Sequence, residues 1–297
     1  MAKRQIIDAH HHLWNLGRGH NYPWLQDRPL SAGLLGDIMP IARDYLLEDF
    51  RADTGNYDLV KSVHIEAVAS DPVDETRWLQ GIADNDNYPH GIVARADLQS
   101  PDVEKVLAAH RQFANLRGIR HMLNFHTDPK LTFTDRNLLT DSTWLAGFKL
   151  LKKYDLSFDL QLYPAQMPAA AALAHANPHT LIILNHTGMP VERDENGMRA
   201  WREGIKLLAS ADNVVVKISG LGMVDWQWSE HNIRPFVLRA IETFGVDRAM
   251  FGSNFPVDKL YSSFDTLYRA FESIVSSFST GEQDKLFRAN ALKYYRL

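Results

Sequence analysis

Three consecutive histidines, His10, His11 and His12, follow the apolar opening Ile6-Ile7-Asp8-Ala9 and run into Leu13-Trp14. The opening reads as a short buried strand. Side chains alternate faces along a strand, so His10 and His12 point the same way, with Cα atoms roughly 6–7 Å apart, and His11 points away. Two imidazoles converging from one strand hold a metal, or bind and polarise an anionic or carbonyl oxygen. A chance histidine run or a tag remnant is the bland alternative. The position of these histidines directly behind an apolar strand argues against it.

The elements that must position this pair follow from hydrophobic patterning. Further strands are expected over 59–67, 91–98, 116–125, 156–163, 180–186, 213–219 and 248–254. Helices are expected over 41–53, 72–84, 142–154, 166–176, 198–210, 233–244, 262–277 and 281–295. Ser100-Pro101-Asp102 reads as the N-cap and first turn of one more. Strand and helix alternate at a spacing of roughly 30 residues, the pattern of a parallel sheet. Eight such units predict an α/β fold of the (β/α)8 TIM-barrel type. No Gly-x-Gly-x-x-Gly or P-loop pattern supports nucleotide binding. No Ser/Gly-rich linker divides the chain, so residues 1–297 read as one domain. A long loop over about 15–40 follows the first strand, and loops of that length are usually functional. Its Trp14, Tyr22 and Trp24 suggest a pocket wall or lid.

Bulk composition excludes several classes. The net charge of −4, without a basic block, speaks against nucleic acid and anionic membranes as partners. The absence of cysteine removes disulfides, thiol catalysis and thiolate metal sites. No apolar run approaches the roughly 18 residues that span a bilayer, and Met1–Gln5 contains no apolar signal core. A cytoplasmic enzyme acting on a small molecule is the expectation; the oligomeric state, a homo-oligomer included, stays open.

In barrels of this kind the active site lies at the C-terminal ends of the strands. Those ends carry His10 and His12, His64 and Glu66, Arg95 and Asp97, Arg120, Asp159 and Gln161, His186, Lys217 and Ser219, and Asn254. So many polar groups are costly to bury unless they pair with one another or hold a ligand. Arg95, Asp97 and Asp159 have structural ion pairing as an alternative, and His64 and Gln161 have satisfied core hydrogen bonds. His121 and His126 read better as loop-bonded, while Trp226, Trp228 and His231 serve either packing or a substrate wall. Arg120 is the natural partner of a substrate carboxylate.

Six segments resemble the amidohydrolase superfamily, in particular the branch containing sugar-acid lactonases and 2-pyrone-4,6-dicarboxylate lactonase. They are Asp8-Ala9-His10-His11-His12-Leu13-Trp14, Arg117-Gly118-Ile119-Arg120-His121, Leu160-Gln161-Leu162-Tyr163-Pro164, Leu184-Asn185-His186-Thr187-Gly188-Met189-Pro190, Val216-Lys217-Ile218-Ser219-Gly220-Leu221 and Met250-Phe251-Gly252-Ser253-Asn254-Phe255-Pro256-Val257. In metal-dependent members the His-x-His pair, histidines after strands 5 and 6 and an Asp after strand 8 surround one or two divalent ions. That Asp also takes the proton from the attacking water. This chain has Gln161 and Asn254 at two of those positions, and Asn185 where the lactonase relatives commonly have Asp.

The resemblance implies hydrolysis of a small carboxylated or polyhydroxylated lactone, with no cofactor required as the first expectation. His10, His12 and His186 would polarise the carbonyl oxygen as it gains charge. Arg120 and Lys217, with Gln161, Trp14 and Trp226, would bind substrate. The base would be Asp258, on the loop turned by Pro256, or Glu66, or one of the histidines, with Asn254 orienting the water. The alternatives are a hydrolase or decarboxylase with one divalent cation such as zinc on His10, His12 and His186, and a non-catalytic barrel that binds a small acid.

Overall fold

Runs rich in β-branched residues, such as Val214–Ile218, form strands because branched side chains suit a pleated surface buried on both faces. The computed structural model describes residues 3–18, 21–30 and 33–297. Its strands are β1 (Gln5–His11), β2 (Asp58–Ile65), β3 (Gly91–Arg95), β4 (Leu116–Met122), β5 (Ser157–Gln161), β6 (Ile182–Leu184), β7 (Val214–Ile218) and β8 (Ala249–Phe251). Each pairs in parallel with the next in chain order. The ring closes just beyond β8. There the Asn254 N–H donates to the His10 carbonyl and the His12 N–H to the Phe255 carbonyl, both at 2.7 Å. This is the (β/α)8 barrel that the alternation predicts.

Helices α1 (Pro23–Gln26) and α2 (Leu47–Asp53) occupy the connection after β1. One long helix fills each later connection: α3 (Pro72–Asp86), α4 (Val103–His110), α5 (Ser142–Lys153), α6 (Met167–Ala176), α7 (Glu195–Ala209) and α8 (Glu230–Phe244). After β8 come α9 (Phe264–Ile274), α10 (Thr280–Asp284) and α11 (Asn290–Tyr294). Side chains of Asp71, Asp141, Ser229 and Ser263 accept N–H groups at the starts of α3, α5, α8 and α9. Each satisfies donors that a helix start leaves open.

Three elements differ from expectation for local reasons. α2 starts six residues late because Trp14 and Tyr45 exchange backbone hydrogen bonds at 3.0 Å, which keeps Tyr45 extended. Ser100-Pro101-Asp102 is a turn ahead of α4: the Ser100 hydroxyl accepts from the Asp102 N–H at 3.2 Å and its carbonyl from the Val103 N–H at 3.1 Å. The expected helix over 281–295 is interrupted by a π-helical turn, Lys285–Ala289.

Alternation sorts the core into two layers. Ile7, Ala9, Val63, Ile65, Val93, Ile183, Val215 and Met250 fill the barrel, with Ala291 and Tyr295 packed among them from the last segment. The opposite faces, including Ile6, Ile92, Phe158, Leu160, Leu184 and Val216, pack against the helices. Among the described residues no helix is long and apolar enough to cross a membrane.

Candidate active site

Strict alternation along β1 would place Asp8, His10 and His12 on one face. The register breaks between Asp8 and His11, the signature of a bulge. Asp8 turns outward, where its carboxylate accepts from the His10 N–H at 3.1 Å, the Ser253 N–H at 2.8 Å and the Ser253 hydroxyl at 2.6 Å. Ala9 stays inside, and His10 and His12 both turn into the barrel with ring centroids 5.0 Å apart. His186 joins them, its ring 4.5 Å from that of His10. His11 faces away, stacked at 4.0 Å on Phe50 and bonded to the Ser62 hydroxyl at 3.0 Å. Two glycines permit the convergence. A Cβ on Gly252 would lie 2.8 Å from the His10 Cβ, and one on Gly220 would lie 2.4 Å from the His186 Nδ1.

All three rings are buried and held neutral. Burial lowers the His12 pKa to about 3, with the Arg120 charge adding to it. Burial first, and then the charges of Lys217 and Arg120, push His10 and His186 well below the usual histidine range. Neighbours fix where the remaining proton sits. His12 Nδ1 donates to the Ile65 carbonyl at 2.8 Å, so its Nε2 carries a lone pair. That lone pair faces the Asn254 Oδ1 at 3.3 Å: two acceptors with no proton between them. Lys217 Nζ lies 3.4 Å from His10 Nδ1, which leaves the His10 proton on Nε2. His10 Nε2 is buried and has no partner. His186 Nδ1 bonds the Ser219 hydroxyl at 3.0 Å.

Two compensated ion pairs lie under and beside these rings. Arg120 donates to the Glu66 Oε1 at 2.6 Å, to the Glu66 carbonyl at 2.6 Å and to the Gln161 Oε1 at 3.0 Å. Lys217, fully buried, donates to Asp159 Oδ1 at 2.6 Å, and the Tyr295 hydroxyl donates to the same oxygen at 2.8 Å. Burial lowers the Lys217 pKa to about 8, against the pull of Asp159. Asp258 sits behind Asn254, whose Nδ2 donates to it at 3.2 Å. Burial pushes the Asp258 carboxyl up to about 8.

Above this polar floor is a cavity of about 200 Å3. Its polar lining is His12, Arg120, Gln161, His186 and Asn254; its remaining lining is Trp24, Leu34, Leu35, Ala67, Val68, Met122, Phe133, Met189, Met223 and Val257. Backbone strain gathers here. Val68, His186, Thr187, Met189 and Asn254 have φ of 60°, 55°, 56°, 46° and 60°. Left-handed conformations cost about 1–3 kcal/mol each outside glycine, and such outliers cluster at functional sites.

The structure brings together His10, His12, His186, Arg120, Gln161 and Asn254. It separates others. Trp14 is fully buried behind His12, its indole N–H on the Arg43 carbonyl at 2.7 Å, so it is core and not a substrate contact. Lys217 is the floor and its charge is spent on Asp159, so it does not reach substrate. Trp226 is 53% exposed and clamps the loop after β1 through the Leu34 carbonyl at 3.2 Å, outside the cavity. Glu66 is committed to Arg120 and to the Val68 N–H at 2.7 Å, which leaves it no free edge as a base. Asp258 is screened by Asn254. His64 accepts the Leu13 N–H at 2.8 Å, a structural role that leaves its Nδ1 buried without a partner, and Asp97 is exposed. Sequence reasoning missed Asp8 and, apart from Trp24, the hydrocarbon wall. Asp8 was marked only by its place in the motif. The wall residues look like any core residue until the loops are placed.

The family model described as Amidohydrolase matches residues 7–297. The chain belongs to the amidohydrolase family. This amidohydrolase is a hydrolase, and it is 48% identical to the uncharacterized protein y4mH of Sinorhizobium fredii over 100% of both chains. It is 30% identical to an L-fucono-1,5-lactonase of Burkholderia multivorans, over 98% of this chain and 96% of that one. A crystal structure of a Burkholderia multivorans amidohydrolase with bound zinc superposes with a TM-score of 0.82 at 27% identity, over 99% of both chains.

A divalent ion on His10, His12 and His186 would find neutral imidazoles. It would also find the amides of Gln161 and Asn254 in place of an imidazole and a carboxylate, and the cations Arg120 and Lys217 nearby. Among the described residues no group of three His, Cys, Asp or Glu side chains is placed to hold a metal ion. The residues as they stand do not fit the metal that the wider family implies, and no step below runs through one.

Proposed function

We propose that this amidohydrolase hydrolyses the ester bond of a small lactone, with His12 as general base and His10 and His186 as the oxyanion site. The observation that carries this reading is His10 Nε2, a buried ring N–H that has no hydrogen-bond partner in the protein and lies against His186, which lines the cavity. A preorganised donor of that kind is what an oxygen gaining negative charge requires. The likeness to an L-fucono-1,5-lactonase supports the same bond type.

In this reading the attacking water donates its two O–H bonds to His12 Nε2 and Asn254 Oδ1, the acceptor pair 3.3 Å apart. Its oxygen forms a bond to the lactone carbonyl carbon as His12 takes the proton. The carbonyl oxygen, now negative, is held by His10 Nε2–H and, with Ser219 donating to Nδ1, by His186 Nε2–H. The ring C–O bond then breaks, and the proton on His12 passes to the departing ring oxygen. The product is a hydroxy acid, which releases one proton to solvent. Arg120, held in place by Glu66 and Gln161, turns its two uncommitted N–H groups to the substrate.

The test is proton release on a panel of aldono-, alkyl- and carboxy-1,5-lactones, with His12→Ala and His186→Ala alongside. Turnover of at least one lactone by the wild type is expected. Loss of general-base help in His12→Ala should cost about 10²–10⁴-fold. A wild type inert on the whole panel, or a His12→Ala protein at wild-type rate, would remove the reading.

A further inference from the structure

We infer that the substrate of this site is an uncharged lactone carrying an alkyl or aryl substituent, not a polyhydroxylated or carboxylated one. The inference rests on the lactone reading above and adds the substrate class.

It starts from how few polar groups are left to spend. Gln161 is used at both ends, accepting from Arg120 at 3.0 Å and donating to Asn124 at 3.0 Å. Asn254 donates to Asp258 at 3.2 Å. The Trp24 indole N–H is held by the Ala67 carbonyl at 2.8 Å. Among the side chains that line the cavity, the donors and acceptors left over are the imidazole edges, the Asn254 oxygen, one N–H each of Gln161 and Asn254 and two N–H groups of Arg120. One ester and one water take up most of these. Three or four further hydroxyls would be turned against hydrocarbon without partners, which is unfavourable for each one.

Charge points the same way. Both buried cations are already matched, Arg120 by Glu66 at 2.6 Å and Lys217 by Asp159 at 2.6 Å. A substrate carboxylate would enter a site with no unmatched positive charge, where an unpaired buried anion is disfavoured.

The walls supply the positive side of the argument. Every loop rising above the floor from β1, β2, β4, β6, β7 and β8 turns an apolar side chain into the cavity, Leu34, Val68, Phe133, Met189, Met223 and Val257 among them. Methionines adapt to irregular apolar shapes, so the wall suits a variable chain more than one fixed outline.

The experiment compares δ-valerolactone, δ-hexalactone, δ-octalactone, glucono-1,5-lactone and a carboxylated 1,5-lactone by kcat/KM. Calorimetric affinities for the matching δ-lactams are measured beside them. Each methylene moved into the wall should raise kcat/KM about fourfold, the equivalent of about 0.8 kcal/mol per CH2. Glucono-1,5-lactone and the carboxylated lactone should fall at least about tenfold below δ-octalactone. Met223→Gln should flatten the rise with chain length. Turnover that favours the polyhydroxylated or carboxylated lactone overturns the inference and leaves the lactone reading standing. Lactam affinity that climbs with chain length while no lactone is hydrolysed does the reverse. Flat affinity without turnover removes both.

Discussion

Replacing Asp258 by asparagine separates two roles that sequence alone leaves joined. Burial carries the Asp258 carboxyl from 3.8 up to about 8, against the N–H donors of Asn254, Gly222 and Gly220. Between about pH 4 and about pH 8 the folded protein therefore keeps a proton that the unfolded chain has released. The folded state is the one favoured by that proton, so stability falls as pH rises through this window, by up to about 1.4 kcal/mol per pH unit. Asparagine is the neutral isostere of the protonated acid, with a donor end and an acceptor end, and has nothing to titrate. Relative to the wild type, Asp258→Asn should gain about 3 kcal/mol between pH 5 and pH 7 and level off above pH 8. Urea denaturation at a series of pH values, with an unchanged m-value, reads this directly. A stability difference that does not move with pH refutes the raised carboxyl. The same protein tests the base: kcat at pH 7 should stay within about threefold of wild type if His12 takes the proton. A fall of about 10²–10⁴-fold would return Asp258 to that role.

Three further outcomes follow from the geometry. Lys217→Met strands Asp159 in the barrel and should cost about 3–5 kcal/mol in a denaturation experiment, while Asp159→Leu with Lys217→Met should recover most of it. Full kcat in that double variant would refute a part for Lys217 in fixing the His10 proton on Nε2. Trp226→Ala removes the clamp on the Leu34 carbonyl and the ring that packs on Gly36; it should raise KM several-fold and change the unfolding midpoint little. Prolonged chelation should leave turnover unchanged, and a full equivalent of zinc lost together with activity would show that the imidazoles bind a metal after all.

The barrel and its histidines were legible because each strand carries its own pattern. Apolar runs at regular spacing imply parallel strands, and His10, His12 and His186 stand where those runs stop. What the pattern could not carry was local backbone geometry. Parity placed His64 beside Glu66, yet Val63 and Ile65 are the residues that fill the barrel, and His64 turns out to hold the Leu13 backbone. Parity also gave no sign of the bulge at Asp8–His11, which depends on a contact with Ser253 some 245 residues away. Lys217 was correctly placed inside the barrel but one layer too high, since its depth is set by Asp159 on another strand. Apart from Trp24, the cavity wall was unreadable for a different reason. Met189 and Met223 are ordinary apolar residues in sequence, and only the left-handed turn through His186–Gly188 and the loop after β7 bring them to the site.

The hydrogen bond from Tyr295 to Asp159 has a consequence for the order in which the molecule is made. The two residues are 136 positions apart. At a synthesis rate of roughly 5–20 residues per second, the carboxylate leaves the ribosome roughly 7–30 s before the hydroxyl that covers it. Until Tyr295 arrives the underside of the barrel has no lid, and water can reach Asp159 and, once it has been made 58 residues later, Lys217. A nascent chain with all eight strands emerged thus still lacks the residues that seal the dry, low-dielectric interior in which the three imidazoles are neutral. The segment that carries Tyr295 follows all eight strands and acts as their cap, and catalytic competence is expected to appear only with its arrival.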